Sequence, residues 1–341
     1  MAHIGIIRGF GEGYVATGYI IKLIKAIKRR YRTKLTYEEI KLGNAIEYGD
    51  KLKSSDISLM RECSFIFSGD FTSPFNPLEY SVDDISIALG NNAEYGYVVG
   101  LGEKSDVDIQ IASYFDGGAK LREHAETQDG CVETRVCSTY TAMNVVKSVT
   151  RSSEKRRRSI AYVKLGENAF CDKMFRYHFE NTVFPLSNFR FTVYSTENLI
   201  SEMIEAPMHI DTIFASRTLI DMAFGLYRVK FGKNVTFFRK YTGGKTIYAC
   251  CAREGNSHCG KSVPSIADYI MAFSVALNNE LNLEKESYYL KLAVSDAINK
   301  NVSTVDGDKF INAVIEYLEK PVETKFRKKT SGKNYITKIK S

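Results

Sequence analysis

Short apolar runs alternate with longer amphipathic stretches along most of the 341-residue chain. Residues 4–7, 65–67, 108–112, 160–163, 190–194, 211–215 and 246–251 are too short for helices and are rich in β-branched and aromatic side chains, so they are read as strands. Between them, apolar residues recur at three- and four-residue spacing. This predicts helices over 15–30, 139–150, 172–180, 197–205, 219–227, 265–277, 287–299 and 309–319. Strands that alternate with helices imply an α/β protein with a largely parallel sheet. Ligands of such sheets gather at the carboxyl ends of strands, which directs attention to the loops that follow them.

Composition changes this picture in two places. With 20 Phe, 21 Tyr and no Trp, there is enough aromatic area for substantial cores. The formal charge of +7 resides in the tail, since 320–341 holds eight Lys/Arg and one Glu and the preceding residues balance at 39 of each sign. A nucleic-acid-binding fold carries a basic stripe within its body. Here only the tail is expected to contact a polyanion, and Lys155, Arg156, Arg157 and Arg158 are read as a basic helix end meeting its own dipole. No apolar run reaches the roughly 20 residues that span a bilayer, and because the opening residues read as a strand, no leader is expected. Seven Cys without paired CxxC spacing favour reduced thiols and a cytoplasmic setting.

One motif is conspicuous. Gly255-Asn256-Ser257-His258-Cys259-Gly260-Lys261-Ser262 fits the phosphate-loop pattern, in which backbone N–H groups cradle phosphate, the Lys reaches the terminal phosphates and the Ser holds magnesium. No later strand ends in an Asp to complete such a site, so nucleotide-phosphate binding through this loop is an alternative reading. Gly9, Gly11 and Gly13 lack dinucleotide-fingerprint spacing, and a tight turn is their default role. His3, His124, His178, His209 and His258 form no HExxH or close pair, which disfavours zinc or a His-based triad.

Taken in order, the segments resemble the isocitrate and isopropylmalate dehydrogenase family. Gly9 to Tyr14 resembles its opening G-D-G-I-G-P turn, and Gly69 to Pro74 its G-P-L-T-T-P loop beside the nicotinamide. The stretch 108–119 follows its D-L-V-I-V-R-E-N-T-E-G segment, Val163 to Gly166 with Asp172 to Phe175 is similar to H-K-A-N and D-G-L-F, and Leu219 to Leu226 to L-S-D-L-A-A-G-L. Residues 293–307 are similar to its closing helix and T-x-D-G-G loop. The segment 253–261 resembles the family's adenosine loop, which gives the phosphate-loop pattern a second reading as the remnant of a dinucleotide site.

The resemblance implies an isocitrate/isopropylmalate dehydrogenase-like two-domain α/β fold with central mixed, largely parallel sheets. Residues 1–94 and 226–319 would form a large cofactor-side domain, 95–225 a small dimerisation domain, and 320–341 a basic tail. It implies NAD or NADP as cofactor, held by Thr72, Ser73, Gly255, Asn256, His258, Gly260, Lys261 and Ser262. Lys164 would be a catalytic remnant, and Glu197 and Asp221 a weakened magnesium or manganese site. The chemistry is eroded, because the three carboxylate-clamping arginines fall at Gly90, Gly100 and Ala112, the catalytic tyrosine at or near Ala119, and a metal-binding Asp at Arg217. The expectation is an impaired homologue with a regulatory, scaffolding or binding role, as a homodimer or in a hetero-oligomer with a homologue. An active NAD(P)-dependent oxidoreductase on an atypical substrate is the alternative.

Overall fold

The computed structural model describes residues 2–42, 52–71, 81–101, 107–115, 123–127, 130–134, 137–164, 170–206, 209–250, 265–304 and 306–320. The first half of the chain gives β1 (Ala2–Ile7), α1 (Gly11–Tyr31), β2 (Leu35–Glu39), α2 (Ser54–Glu62), β3 (Phe65–Ser68), α3 (Val82–Ala88), β4 (Ala93–Gly100), β5 (Asp108–Tyr114), the hairpin strands β6 (Glu123–Thr127) and β7 (Gly130–Thr134), and α4 (Thr139–Glu154). Then come β8 (Ser159–Val163), α5 (Phe170–Val183), β9 (Arg190–Tyr194), α6 (Thr196–Glu205), β10 (Thr212–Phe214), α7 (Arg217–Phe231), β11 (Val235–Thr242), β12 (Ile247–Ala249), α8 (Ile266–Leu281), α9 (Glu284–Asn299) and α10 (Gly307–Glu319).

Ten strands form one sheet in the order β2-β1-β3-β12-β11-β4-β5-β10-β8-β9. Pairs are parallel in the outer groups, where β-α-β crossovers cover the faces. The centre is antiparallel: β4 pairs with β5 and β11, and β11 with β12. These long central strands join the two parallel groups of a two-domain α/β fold.

One apolar cluster runs along a whole face of the sheet. It gathers Ile20 and Ile24 of α1, Val145 and Val149 of α4, Phe175 and Phe179 of α5, Phe273 and Leu277 of α8, and Leu290 of α9. The opposite face carries two separate clusters, one under α6 and α7 (Leu199, Met203, Ile220, Ala223) and one under α2 and α3 (Met60, Ile85). Every residue from Ile266 to Leu277 in α8 is buried, as a sequence apolar on all sides apart from hydrogen-bonded Asp268 and Ser274 requires. This helix starts at a capping box in which Ser265 and Asp268 exchange side-chain and backbone hydrogen bonds, and ends at Asn282 in the left-handed region.

The sequence-predicted runs fall on observed elements, often extended by a few residues. The strands β2, β4 and β11, the hairpin β6–β7, and the helices α2 and α3 are additional. In β4 (AEYGYVVG) and β11 (VTFFRKYT), charges and a glycine interrupt the apolar pattern, although both strands are buried for nearly their full length.

Candidate functional site

Several parallel strands end toward the loops where ligands of such sheets bind. At the first of these, the β1–α1 turn meets the loop after β3. Phe10 donates its N–H to the Asp70 carbonyl at 2.8 Å, and a Cβ on Gly9 or Gly13 would strike the Asp70 backbone. A Cβ on Gly69 would strike the carbonyls of Arg8 and Gly13. Gly9 and Gly11 also have positive φ, at 68° and 49°. The glycines therefore serve backbone-to-backbone contact and turning. Thr72 and Ser73 lie outside the described residues, as do Gly255, Asn256, His258, Gly260, Lys261 and Ser262.

The second set of strand ends is better defined. Lys164 follows β8 and Glu197 lies in the first turn of α6 after β9; both are exposed. Lys164 donates its backbone N–H to the Tyr194 carbonyl at 3.2 Å, which continues the β8–β9 ladder past the strand end. Arg217 opens α7 after β10, and Asp221 stands one helical turn on. Among the described residues, no group of three His, Cys, Asp or Glu side chains converges to hold a metal.

Arg217 and Asp221 belong instead to a network of ion pairs. Arg217 forks onto Asp83 of α3, with nitrogen to oxygen distances of 2.7 and 2.9 Å, and its Nε lies 2.8 Å from Glu94 Oε2. Arg239 of β11 pairs with Glu94 and with Asp221. Glu94 is fully buried and the Arg239 side chain is 10% exposed. Burial opposes the charge on Arg217, but Glu94, Tyr241 and Asp83 outweigh it and hold the guanidinium charged above its usual range. Phe115 lies under Arg217 and Phe224 under Arg239, each 5.6 Å from ring centre to guanidinium carbon.

Strand register builds this arrangement. Arg239 lies opposite Gly96 on β4, so Gly96, Glu94 and Arg239 share one face. Gly96 lets α7 close on that face, for a Cβ there would collide with Ile220 and crowd Phe224. Asp83, Glu94 and Arg239 are thus the site residues that sequence reasoning missed. The available signal was a Glu and an Arg set inside aromatic, strand-forming runs. The positions that the resemblance assigns to the carboxylate clamp have no comparable role: Gly90 is a turn residue with φ 74°, Gly100 ends β4 and Ala112 is fully buried in β5.

This geometry does not fit a magnesium or manganese ion at Asp221. A divalent cation needs converging carboxylates, whereas the Asp221 carboxylate is held by Arg239 and a second cation stands where another ligand would be needed.

Neither a family model nor a curated protein matches the sequence. Solved structures do match in shape. Isocitrate dehydrogenase from Methylococcus capsulatus superposes with a TM-score of 0.74 at 14% identity, covering 94% of this chain and 100% of that one. A β-decarboxylating dehydrogenase from Thermococcus kodakarensis gives 0.74 at 16% identity, covering 94% and 96%. The TT0538 protein from Thermus thermophilus gives 0.74 at 14%, covering 94% and 68%. At these identities the likeness concerns fold, and the chain has the two-domain, mixed-sheet architecture of the isocitrate/isopropylmalate dehydrogenase family.

Proposed function

We propose that this chain uses the dehydrogenase scaffold without its metal-dependent oxidation and acts as a binding, scaffolding or regulatory subunit. The observation that carries this reading is the engagement of Asp221 by Arg239, with Arg217 one turn earlier tied to Asp83 and Glu94. Guanidinium groups already engaged by Asp83, Glu94 and Asp221 offer a substrate no open coordination position of the kind a bound metal ion supplies. The division into a domain of 1–94 with 226–319, one of 95–225 and a basic tail belongs to this reading, as does a cytoplasmic setting. Among the described residues, no helix is long and apolar enough to cross a membrane.

Association with a second copy or a homologue is part of the proposal. Met222 and Val229 are exposed on one face of α7, seven residues apart, and the Lys230 ammonium donates to the carbonyl of exposed Ile204 on neighbouring α6. A pair of α-helical apolar faces is self-complementary under a two-fold axis. The β6–β7 hairpin forms a two-stranded sheet of its own, an arrangement of marginal stability in water without a partner. Light scattering should give a dimer that Val229→Glu dissociates.

The activity test follows NAD or NADP reduction with isocitrate or isopropylmalate and magnesium or manganese. The expected result is no turnover, and rates of roughly 1 to 1000 per second would establish the active-oxidoreductase alternative. NAD, NADP, ATP and ADP are compared in parallel by thermal shift, because a specific ligand raises apparent stability by mass action. Stabilisation by ATP that is lost in Lys261→Ala would select the phosphate-loop reading.

A further inference from the structure

The sheet ends at β9, which pairs only with β8 among the described strands. Its ladder reveals which backbone groups remain available. Arg190 donates its N–H to the Arg158 carbonyl, and the Tyr194 carbonyl accepts from Lys164. In a parallel pair such groups alternate, so residues 190, 192 and 194 face β8 while the N–H and C=O groups of Phe191 and Val193 point to the open edge. Edge strands of this kind are templates for strand addition.

Beside the edge lies a groove of about 490 Å³ lined by Val193, Tyr194, Asn198, Ser201, Glu202, Glu205 and Ala206. Its charge is acidic. Glu202 accepts from the Tyr194 hydroxyl at 3.1 Å and Glu205 from the Ser201 hydroxyl at 3.4 Å. Among the described residues no Lys or Arg pairs with either carboxylate or with nearby Glu197. Of the basic groups on the surrounding elements, Lys230 is held on the Ile204 carbonyl, Lys164 is exposed beside Tyr194 and the charge of Arg190 reaches Tyr194, yet among the described residues none forms an ion pair with these carboxylates. On the other side of the edge, Phe184 is 69% exposed and packs edge-on against Phe191 at 6.2 Å.

We propose that β9 and this groove bind an extended, basic segment of a partner polypeptide by strand addition. The outward groups of Phe191 and Val193 would supply main-chain hydrogen bonds. Glu202 and Glu205 would select Lys or Arg at alternate positions, and Phe184 would cover an apolar residue on the other face. The site lies apart from the Arg217 network and stands whether or not the chain oxidises a substrate.

The test uses the full chain and a labelled acetyl-Thr-Lys-Val-Lys-Thr-Lys-Val-amide peptide, followed by fluorescence anisotropy at two salt concentrations. Binding should weaken as salt rises, and Glu202→Gln with Glu205→Gln should reduce affinity by about three- to tenfold. Val193→Pro removes an outward N–H and leaves the β8 ladder intact, so it should abolish binding with little change in circular dichroism. If Val193→Pro unfolds the chain, the glutamine pair and a peptide with Lys replaced by Glu supply the decision. Peptide affinity indifferent to both overturns the proposal. So does an edge blocked by a second copy, seen as a dimer that peptide cannot enter and that Val193→Pro dissociates.

Discussion

Two arginine networks flank β10, and they make opposite use of the same chemistry. At the amino end, Arg156 pairs with Asp108 at 2.9 Å and Asp211 at 2.8 Å, and it also donates to the Asp108 carbonyl. The Arg157 N–H adds a bond to Asp211. At the carboxyl end, Arg217 and Arg239 gather Asp83, Glu94 and Asp221. Both contain a nearly inaccessible carboxylate, since Asp211 is 1% and Glu94 0% exposed. Their positions separate them. The Arg156 group ties strand starts together where α/β sheets seldom bind ligands, whereas the Arg217 group fills the end where they do. Burial and charge alone identify a tightly held network, and topology gives it meaning.

The largest effect should come from Arg156→Met. It leaves Asp211 buried without its main partner, which costs about 3–5 kcal/mol, measurable as a lower urea midpoint. Glu94→Gln should cost less, about 2 kcal/mol, because each arginine keeps another carboxylate and only the central charge is lost. A loss greater than that of Arg156→Met would reverse the ranking of the two networks.

Gly96→Ala tests the route by which α7 reaches the second network. Crowding against Ile220 and Phe224 should destabilise by about 1–3 kcal/mol, while the same substitution at solvent-exposed Gly90, where a Cβ meets nothing, should reflect only its positive φ.

Acid should act on the first network. Desolvation would raise the carboxyl of half-exposed Asp108, but Arg156, Lys291 and Arg157 outweigh it and hold the group below its ordinary value of 3.8. Its contribution to stability is present above that value and is lost as pH falls through the lower folded value. Buried Asp268 is shifted upward by desolvation, so its charge opposes folding above its folded value and acidification relieves it. The difference between wild type and Asp108→Asn across acid pH isolates the Asp108 part, and parallel curves would contradict it.

The smallest effect should be that of magnesium or manganese on melting temperature, expected to be nil in wild type. In Arg217→Asp the removed cation and added carboxylate should permit weak stabilisation by the metal. A shift in wild type equal to that in the variant would show that Arg217 does not govern metal binding.

What the sequence disclosed follows the same boundary. Outer parallel strands buried on both sides were legible because such burial demands uninterrupted apolar runs, as in Phe65 to Phe67 and Ile160 to Val163, whereas the part-exposed edge strand β2 (LTYEE) carries no such run. The central antiparallel pair was opaque because Glu94, Gly96, Arg239 and Lys240 break those runs, and their burial is made tolerable only by partners distant in sequence. Asp221 and Arg217 were recognised by their places on a helix. That Asp221 is held by an arginine depended on strand register, which no local pattern encodes. Arg156 illustrates the reverse case: its run of basic residues suggested a helix end interacting with its dipole, whereas its side chain reaches Asp108 and Asp211.

The close approach of Gly9 and Gly13 to the Asp70 backbone, and of Gly69 to the Arg8 and Gly13 carbonyls, restricts what mutation can do there. The obstacle at each position is mainly main chain, which no change of rotamer can move aside, so alanine at any one of the three forces two loops apart. Nor can shrinking a neighbouring side chain compensate. Saturation mutagenesis with a folding reporter should therefore find these positions closed, while exposed Glu12 and Tyr14 beside them accept many residues. A glycine cluster that resembles a ligand motif can be fixed by the thickness of the polypeptide alone.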